Sequence, residues 1–162
     1  MRIALSNASP LQIQMAEAFT NRHKARFDEY EVTINLKAQR LEKLEGFSLS
    51  AKRSGANVEA TIGLTLEHSL RYALNALSKW LETKESTIEL VDGPDFPVRG
   101  VVEGFYGKPW SHAQKLKGIE FFADYNMNTY FLAPKDDPLQ RFNWRSPFTP
   151  EYLDTTQELI ER

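Results

Sequence analysis

Two apolar runs, Val98–Gly104 and Thr129–Ala133, each end in a cluster of glycine, aromatic and charged residues, and an amphipathic segment separates them. Ser111 with Gln114 three residues later forms a capping-box signature that starts a helix in that segment. Leu116, Ile119, Phe122 and Ala123 are spaced to give the helix one buried face. The order strand, helix, strand is that of a βαβ unit in a parallel sheet. Both runs are continuously apolar, the pattern of strands covered on both faces. In such folds the residues able to do chemistry gather at the carboxyl ends of the strands.

Residues 1–92 follow a different rule. Ile3–Leu5 is a short strand candidate, and Ser9-Pro10-Leu11-Gln12 reads as a helix start with Ser9 as cap and Pro10 in the first turn. Leu11, Met15, Ala18 and Phe19 are the expected apolar stripe of that helix. Glu31–Leu36, Gly46–Arg53 and Asn57–Gly63 alternate polar with apolar, as half-buried strands do. Ser54-Gly55-Ala56 between the last two is a hairpin signal. Leu66–Leu81 carries Leu66, Leu70, Leu74, Leu77 and Leu81 on one helical face, with Trp80 beside them, and Thr87–Val91 is a final strand. These elements predict a small α+β domain with helices on one face of a short sheet. Asp92-Gly93-Pro94-Asp95-Phe96-Pro97 then supplies prolines, a glycine and two aspartates in six residues, the composition of a linker or tight turn. The expected organisation is a domain over residues 1–92, a linker over 93–97 and the start of a second domain over 98–162. Within the latter, residues 134–150 read as a long loop and residues 151–162 as another helix.

Composition narrows the function classes. A formal net charge of −2 exerts no general pull on nucleic acid or anionic membranes. The chain has no cysteine, so disulfide and thiolate chemistry are excluded. No apolar run approaches the roughly 18 residues of a membrane span. The beginning, MRIALSNASP, lacks the apolar stretch of a signal peptide, so a cytoplasmic location is expected. His23, His68 and His112, expected in mid-helix for two and at a helix start for one, lack metal-ligand spacing. Neither a metal nor a cofactor is expected. Arg22-His23-Lys24-Ala25-Arg26 reads as a solvated helix end offsetting the helix dipole.

The residues that could carry chemistry follow the two apolar runs. Glu103 is either a charge that has reached solvent at a strand end or a site residue. Gly104-Phe105-Tyr106-Gly107-Lys108-Pro109-Trp110 is either a turn that needs its glycines, or a place where a ligand approaches the backbone beside aromatic faces suited to sugar rings. It is not a phosphate loop, because Pro109 stands where such a loop needs Ser or Thr. Lys135-Asp136-Asp137 invites an acid/base reading, since paired carboxylates serve glycoside hydrolysis, but aspartates in loops more often cap and turn. A lysine pressed against two carboxylates would stay protonated and suit holding a hydroxyl.

RGVVEGFYGKPW (Arg99–Trp110), NMNTYFLAPKDDP (Asn126–Pro138) and Trp144-Arg145 resemble glycoside hydrolase family 84. This family of β-N-acetylglucosaminidases includes protein O-GlcNAcases and enzymes once labelled hyaluronidases. The resemblance implies a (β/α)₈ barrel, of which residues 98–162 would be the first two βα units, behind a small α/β domain. It implies a retaining, substrate-assisted mechanism in which the sugar's 2-acetamido oxygen attacks the anomeric carbon. Neither a protein nucleophile nor a metal is then used. By resemblance, Gly104 through its backbone carbonyl and Lys135 contact hydroxyls of N-acetylglucosamine, with Glu103, Tyr106 and Asp136 as pocket support. The family's catalytic aspartate pair follows the fourth barrel strand, so Asp136 and Asp137 are not that pair, and the 162-residue chain alone is expected to be inactive. The implied partner is an N-acetylglucosamine-containing glycan or glycoprotein, with no nucleic acid or membrane, and self-association through uncovered strands is a further expectation. The alternative is a non-catalytic module that binds a glycan or a protein.

Overall fold

The computed structural model describes residues 1–161. The chain divides into two compact units, Met1–Pro97 and Val98–Arg162.

In the first unit, β1 (Arg2–Ser6), β2 (Glu31–Ala38), β3 (Phe47–Ser54), β4 (Asn57–Leu64) and β5 (Thr87–Asp92) form one sheet in the order β1-β2-β4-β3-β5. β1, β2 and β4 run parallel, and β3 is antiparallel to both β4 and β5. Strict alternation places Leu36, Ile62, Leu49 and Leu90 in one cross-strand row and Ile34, Ala60, Ala51 and Ile88 in the next. The intervening rows, such as Thr33, Glu59, Lys52 and Thr87, are polar and face the other way. Helices α1 (Pro10–His23) and α2 (Leu70–Leu81) cover the apolar face. Phe19, Ile34, Leu49, Ile62, Leu70, Leu74 and Leu77 are fully buried in the core, each worth about 1.5–3 kcal/mol of transfer free energy. Between β3 and β4, Gly55 takes φ +60°, the positive value that a two-residue hairpin turn with glycine first requires.

Local chemistry sets the helix ends. Ser9 Oγ accepts from Gln12 N while Gln12 Oε1 accepts from Ser9 N at 2.9 Å, so the capping box forms in full. The buried stripe of α1 is Gln12, Ala16 and Phe19. Leu11 is 44% exposed and Ala18 is exposed, so of the expected stripe only Phe19 reaches the core and Met15 its margin. The helix is rotated to let the Gln12 side chain fold back on its own cap. α2 starts later than the leucine spacing suggests: Leu66 is extended and Glu67–Ser69 forms a 3₁₀ turn before Leu70. At the other end, the Arg53 guanidinium donates to the carbonyls of Leu81, Thr83 and Glu85 and lies over the Trp80 ring. It satisfies carbonyls that the end of α2 leaves unpaired. Of the histidines, His23 ends α1, His68 sits in the 3₁₀ turn and His112 opens α3, so none is in mid-helix.

In the second unit, β6 (Gly100–Glu103) and β7 (Thr129–Leu132) pair in parallel, joined through α3 (His112–Asp124). A Cβ on Gly100 would lie 1.8 Å from the Thr129 carbonyl oxygen, so the first strand position excludes every other residue type. Ser111 and Gln114 complete a second capping box. α3 ends on Asn126 at φ +59°, with Met127 N donating to Phe122 O and Asn126 N to Ala123 O, the paired bonds of a Schellman end. Both strands are shorter than their apolar runs. They are not covered on both faces either: Val102 and Phe131 are cross-strand partners and are 60% and 55% exposed. The stretch 134–150 is not all loop. Asp137 caps a one-turn helix, α4 (Pro138–Arg141), and α5 (Pro150–Glu161) follows, its first turn capped by Thr149 Oγ1 accepting from Tyr152 N. Among the described residues no helix is long and apolar enough to cross a membrane.

Candidate functional site

The loops after β6 and β7 emerge side by side, because the register Glu103↔Leu132 ends both strands at the same level. Everything singled out from the sequence in this region belongs to these two loops or to their supports.

Glu103 has not reached solvent. Its side chain is fully buried. Oε1 accepts from the backbone N–H of Trp110 at 2.8 Å, Oε2 accepts from the Tyr130 hydroxyl, and the Lys115 ammonium lies 3.8 Å from Oε2. A buried carboxylate needs this set of donors to offset lost hydration. One acidic group thereby ties the end of β6 to the start of α3, to α3 itself and to β7. Tyr130 answers in its titration: burial, then the hydrogen bond and charge of Glu103, push its hydroxyl well above the ordinary tyrosine range. Burial also raises Tyr152, with the charges of Asp137 and Glu103 adding to it. Above the carboxylate, Phe105, Trp110, Phe122 and Tyr130 form a chain of ring contacts with centroids 5.6, 6.4 and 6.0 Å apart. Lys115 and Tyr130 escaped the sequence reading. Their signal was positional, since each sits one helix turn or one strand away from a strand-end carboxylate.

The two loops are latched together. Gly107 takes φ +109°, and its N–H donates to Asp136 Oδ2 at 3.0 Å. Tyr106 sets its ring under the Lys135 ammonium, 4.1 Å from the ring centroid. Asp137 Oδ1 accepts from Leu139 N at 2.8 Å, and Gln140 Nε2 returns to the Leu132 carbonyl. The lysine is therefore not pressed between two carboxylates. Asp136 and Asp137 turn to backbone donors, one bracing the neighbouring loop and one capping α4, and the ammonium rests on an aromatic face. Among the described residues no oxygen accepts from it, so the N–H donors directed away from the ring remain for an outside acceptor. Gly104 stands at the end of β6, directly after the buried anchor. Geometry thus brings Gly104, Tyr106, Lys135 and Asp136 together, with Glu103 as their support. No group of three or more His, Asp or Glu side chains able to hold a metal occurs among the described residues.

Parallel strands joined through a helix, with a loop pair at their carboxyl ends, define an α/β unit whose charged and aromatic side chains gather at one edge. Residues 99–162 match the sequence model of the family described as "NAGidase: beta-N-acetylglucosaminidase". The chain is 32% identical to mouse (Mus musculus) protein O-GlcNAcase over 105 residues, 65% of this chain and 12% of that protein. It is 41% identical to the rat (Rattus norvegicus) protein O-GlcNAcase over 61 residues, 38% of this chain and 7% of that protein. Among solved structures it resembles CpGH84B with a TM-score of 0.69 and 28% identity, covering 99% of this chain and 31% of that one. The match to the β-N-acetylglucosaminidase family is thus carried by residues 99–162, and the likeness to CpGH84B extends over the whole chain. The chain spans about an eighth of the mouse protein and less than a third of CpGH84B.

Proposed function

We propose that this chain supplies the hydroxyl-holding half of an N-acetylglucosamine site in a retaining, substrate-assisted β-N-acetylglucosaminidase acting on O-GlcNAc-bearing protein or related glycans. Residues 98–162 are read as the first two βα units of a (β/α)₈ barrel, and residues 1–92 as a small domain preceding it. The observation that carries the reading is the Lys135 ammonium, which among the described residues meets no carboxylate and lies in the loop that follows β7, beside the loop that Gly104 opens after β6. A protonated lysine with open donors binds hydroxyls and does not accept a proton. Asp136 Oδ2 and Asp137 Oδ1 each accept a backbone N–H, which supports a turn-building and capping role for both carboxylates. General acid–base catalysis contributes about 10²–10⁴-fold, and in this reading its carboxylates lie outside these 162 residues. The exposed Val102–Phe131 face and the open edges of β6 and β7 support a sheet that continues into further strands.

The test has two parts on the 162-residue chain. Incubation with a chromogenic β-N-acetylglucosaminide is expected to give no turnover above a no-protein control; turnover would overturn the assignment of catalysis elsewhere. NMR titration with N-acetylglucosamine is expected to shift amides of Gly104 and Lys135, and Lys135→Ala to abolish those shifts. Shifts confined to other residues would overturn the site.

A further inference from the structure

We propose that Tyr106 is a positioning residue for Lys135: its ring face holds and aims the ammonium, so that the loop after β6 sets the geometry of the cation supplied by the loop after β7. This rests on the reading of Lys135 as a hydroxyl-binding group.

Three observations carry it. Tyr106 is 74% exposed, so its ring is not placed there by core packing. Its ring nonetheless faces the Lys135 ammonium at 4.1 Å from the centroid, within cation–π range. The neighbours on both loops enforce that placement: Gly107 N donates to Asp136 Oδ2 at 3.0 Å, so residues 106–107 of one loop engage residues 135–136 of the other.

The choice of an aromatic partner has a chemical consequence. A carboxylate beside the lysine would fill its N–H donors. A ring face attracts the charge and leaves the donors directed away from it open. The two carboxylates adjacent in sequence are kept away by their bonds to Gly107 N and Leu139 N. The lysine is thereby restrained in direction but left chemically open, as a group that must meet a sugar hydroxyl should be.

The experiment compares the wild-type chain of 162 residues with Tyr106→Phe, Tyr106→Leu and Lys135→Ala, using N-acetylglucosamine as probe. Ring-current shifts of the Lys135 side-chain methylenes report the contact without ligand. They are expected in wild type and Tyr106→Phe and to vanish in Tyr106→Leu. Affinity for the sugar is expected to be retained in Tyr106→Phe and to fall about two- to fivefold in Tyr106→Leu, the worth of an exposed cation–π contact. Sugar binding by Tyr106→Leu equal to wild type, or equal losses in the Phe and Leu variants, would overturn this proposal and leave the Lys135 reading standing. Binding undiminished by Lys135→Ala, or no binding by wild type, would overturn that reading and this proposal together.

Discussion

In residues 1–97 the largest fully buried side chains are hydrocarbon: Phe19, Ile34, Leu49, Ile62. In residues 98–161 the largest is the carboxylate of Glu103, with Pro134 and Ala123 also buried. The first unit has a sheet with one face covered by two helices, so burial of apolar area holds it together. The second has two strands, and Val102, Phe131, Phe121 and Tyr125 stay exposed around a core organised by a polar group. A hydrophobic core fails gradually as methylenes are removed. A core built on one charge and its donors fails when either side of the pairing is lost.

The sharpest way to break the comparison is Glu103→Ala. It strands the Trp110 N–H, the Tyr130 hydroxyl and the Lys115 ammonium, and breaking a buried pair this way costs about 3–5 kcal/mol. Two-dimensional NMR is expected to show the signals of residues 98–161 collapse while those of 1–97 persist. Persistence of both would mean that apolar contacts hold the second unit. Alkali attacks the same anchor without mutation. The Tyr130 hydroxyl is raised above its ordinary value near 10, so its contribution is complete below pH 10 and is lost as pH rises from there through the raised value. Urea unfolding compared below and above pH 10 is expected to show residues 98–161 losing stability first as pH rises past 10, with the phenolate absorbance of Tyr130 appearing late.

In the first unit the matching lesion is Leu74→Ala, which empties a site that is 1% exposed. It is expected to lower stability in urea by about 2–5 kcal/mol, with no local loss of signal, because the whole unit shares that core. Smaller again are the caps, and here the units share one device. Ser9→Ala and Ser111→Ala should each cost about 1 kcal/mol. Ser9→Ala is expected to shift the unfolding midpoint of the first unit, and Ser111→Ala to raise exchange only in the first turn of α3. Equal global effects would erase the distinction between the units.

What could be read from the sequence was what neighbouring residues decide among themselves. Ser9 with Gln12 and Ser111 with Gln114 announce their caps within four residues, and the alternation of β2, β3 and β4 announces which side is buried. What failed depends on neighbours that a linear pattern does not name. The Val98–Gly104 run looked doubly covered, yet Val102 is open, because composition records a strand's preference and not whether anything meets it. α4 does carry a local signal, Asp137 as cap followed by Pro138, but it is one turn long and gives no periodic pattern to set it apart from a loop. At the site, the turn and cap roles that aspartates take in loops do hold for Asp136 and Asp137, but the expected pressing of Lys135 against them does not. The turn they form sends each to a different partner, and among the described residues it is the Tyr106 ring, far off in sequence, that meets the ammonium.

The hairpin β3–β4 carries a consequence for how the first unit assembles. Its strands are separated by Gly55 and Ala56, while β1–β2 and β2–β4 must each be closed across long connections. Local pairs form on microsecond timescales and non-local ones wait on loop closure. Because β4 and β3 are two of the three inner strands of the order β1-β2-β4-β3-β5, the fastest pair to form offers one edge to β2 and the other to β5, and β1 joins through β2. Gly55, at a solvent-facing turn with no contact to the core, thus sets the pace at which the whole sheet nucleates: Gly55→Val should slow refolding far more than it speeds unfolding.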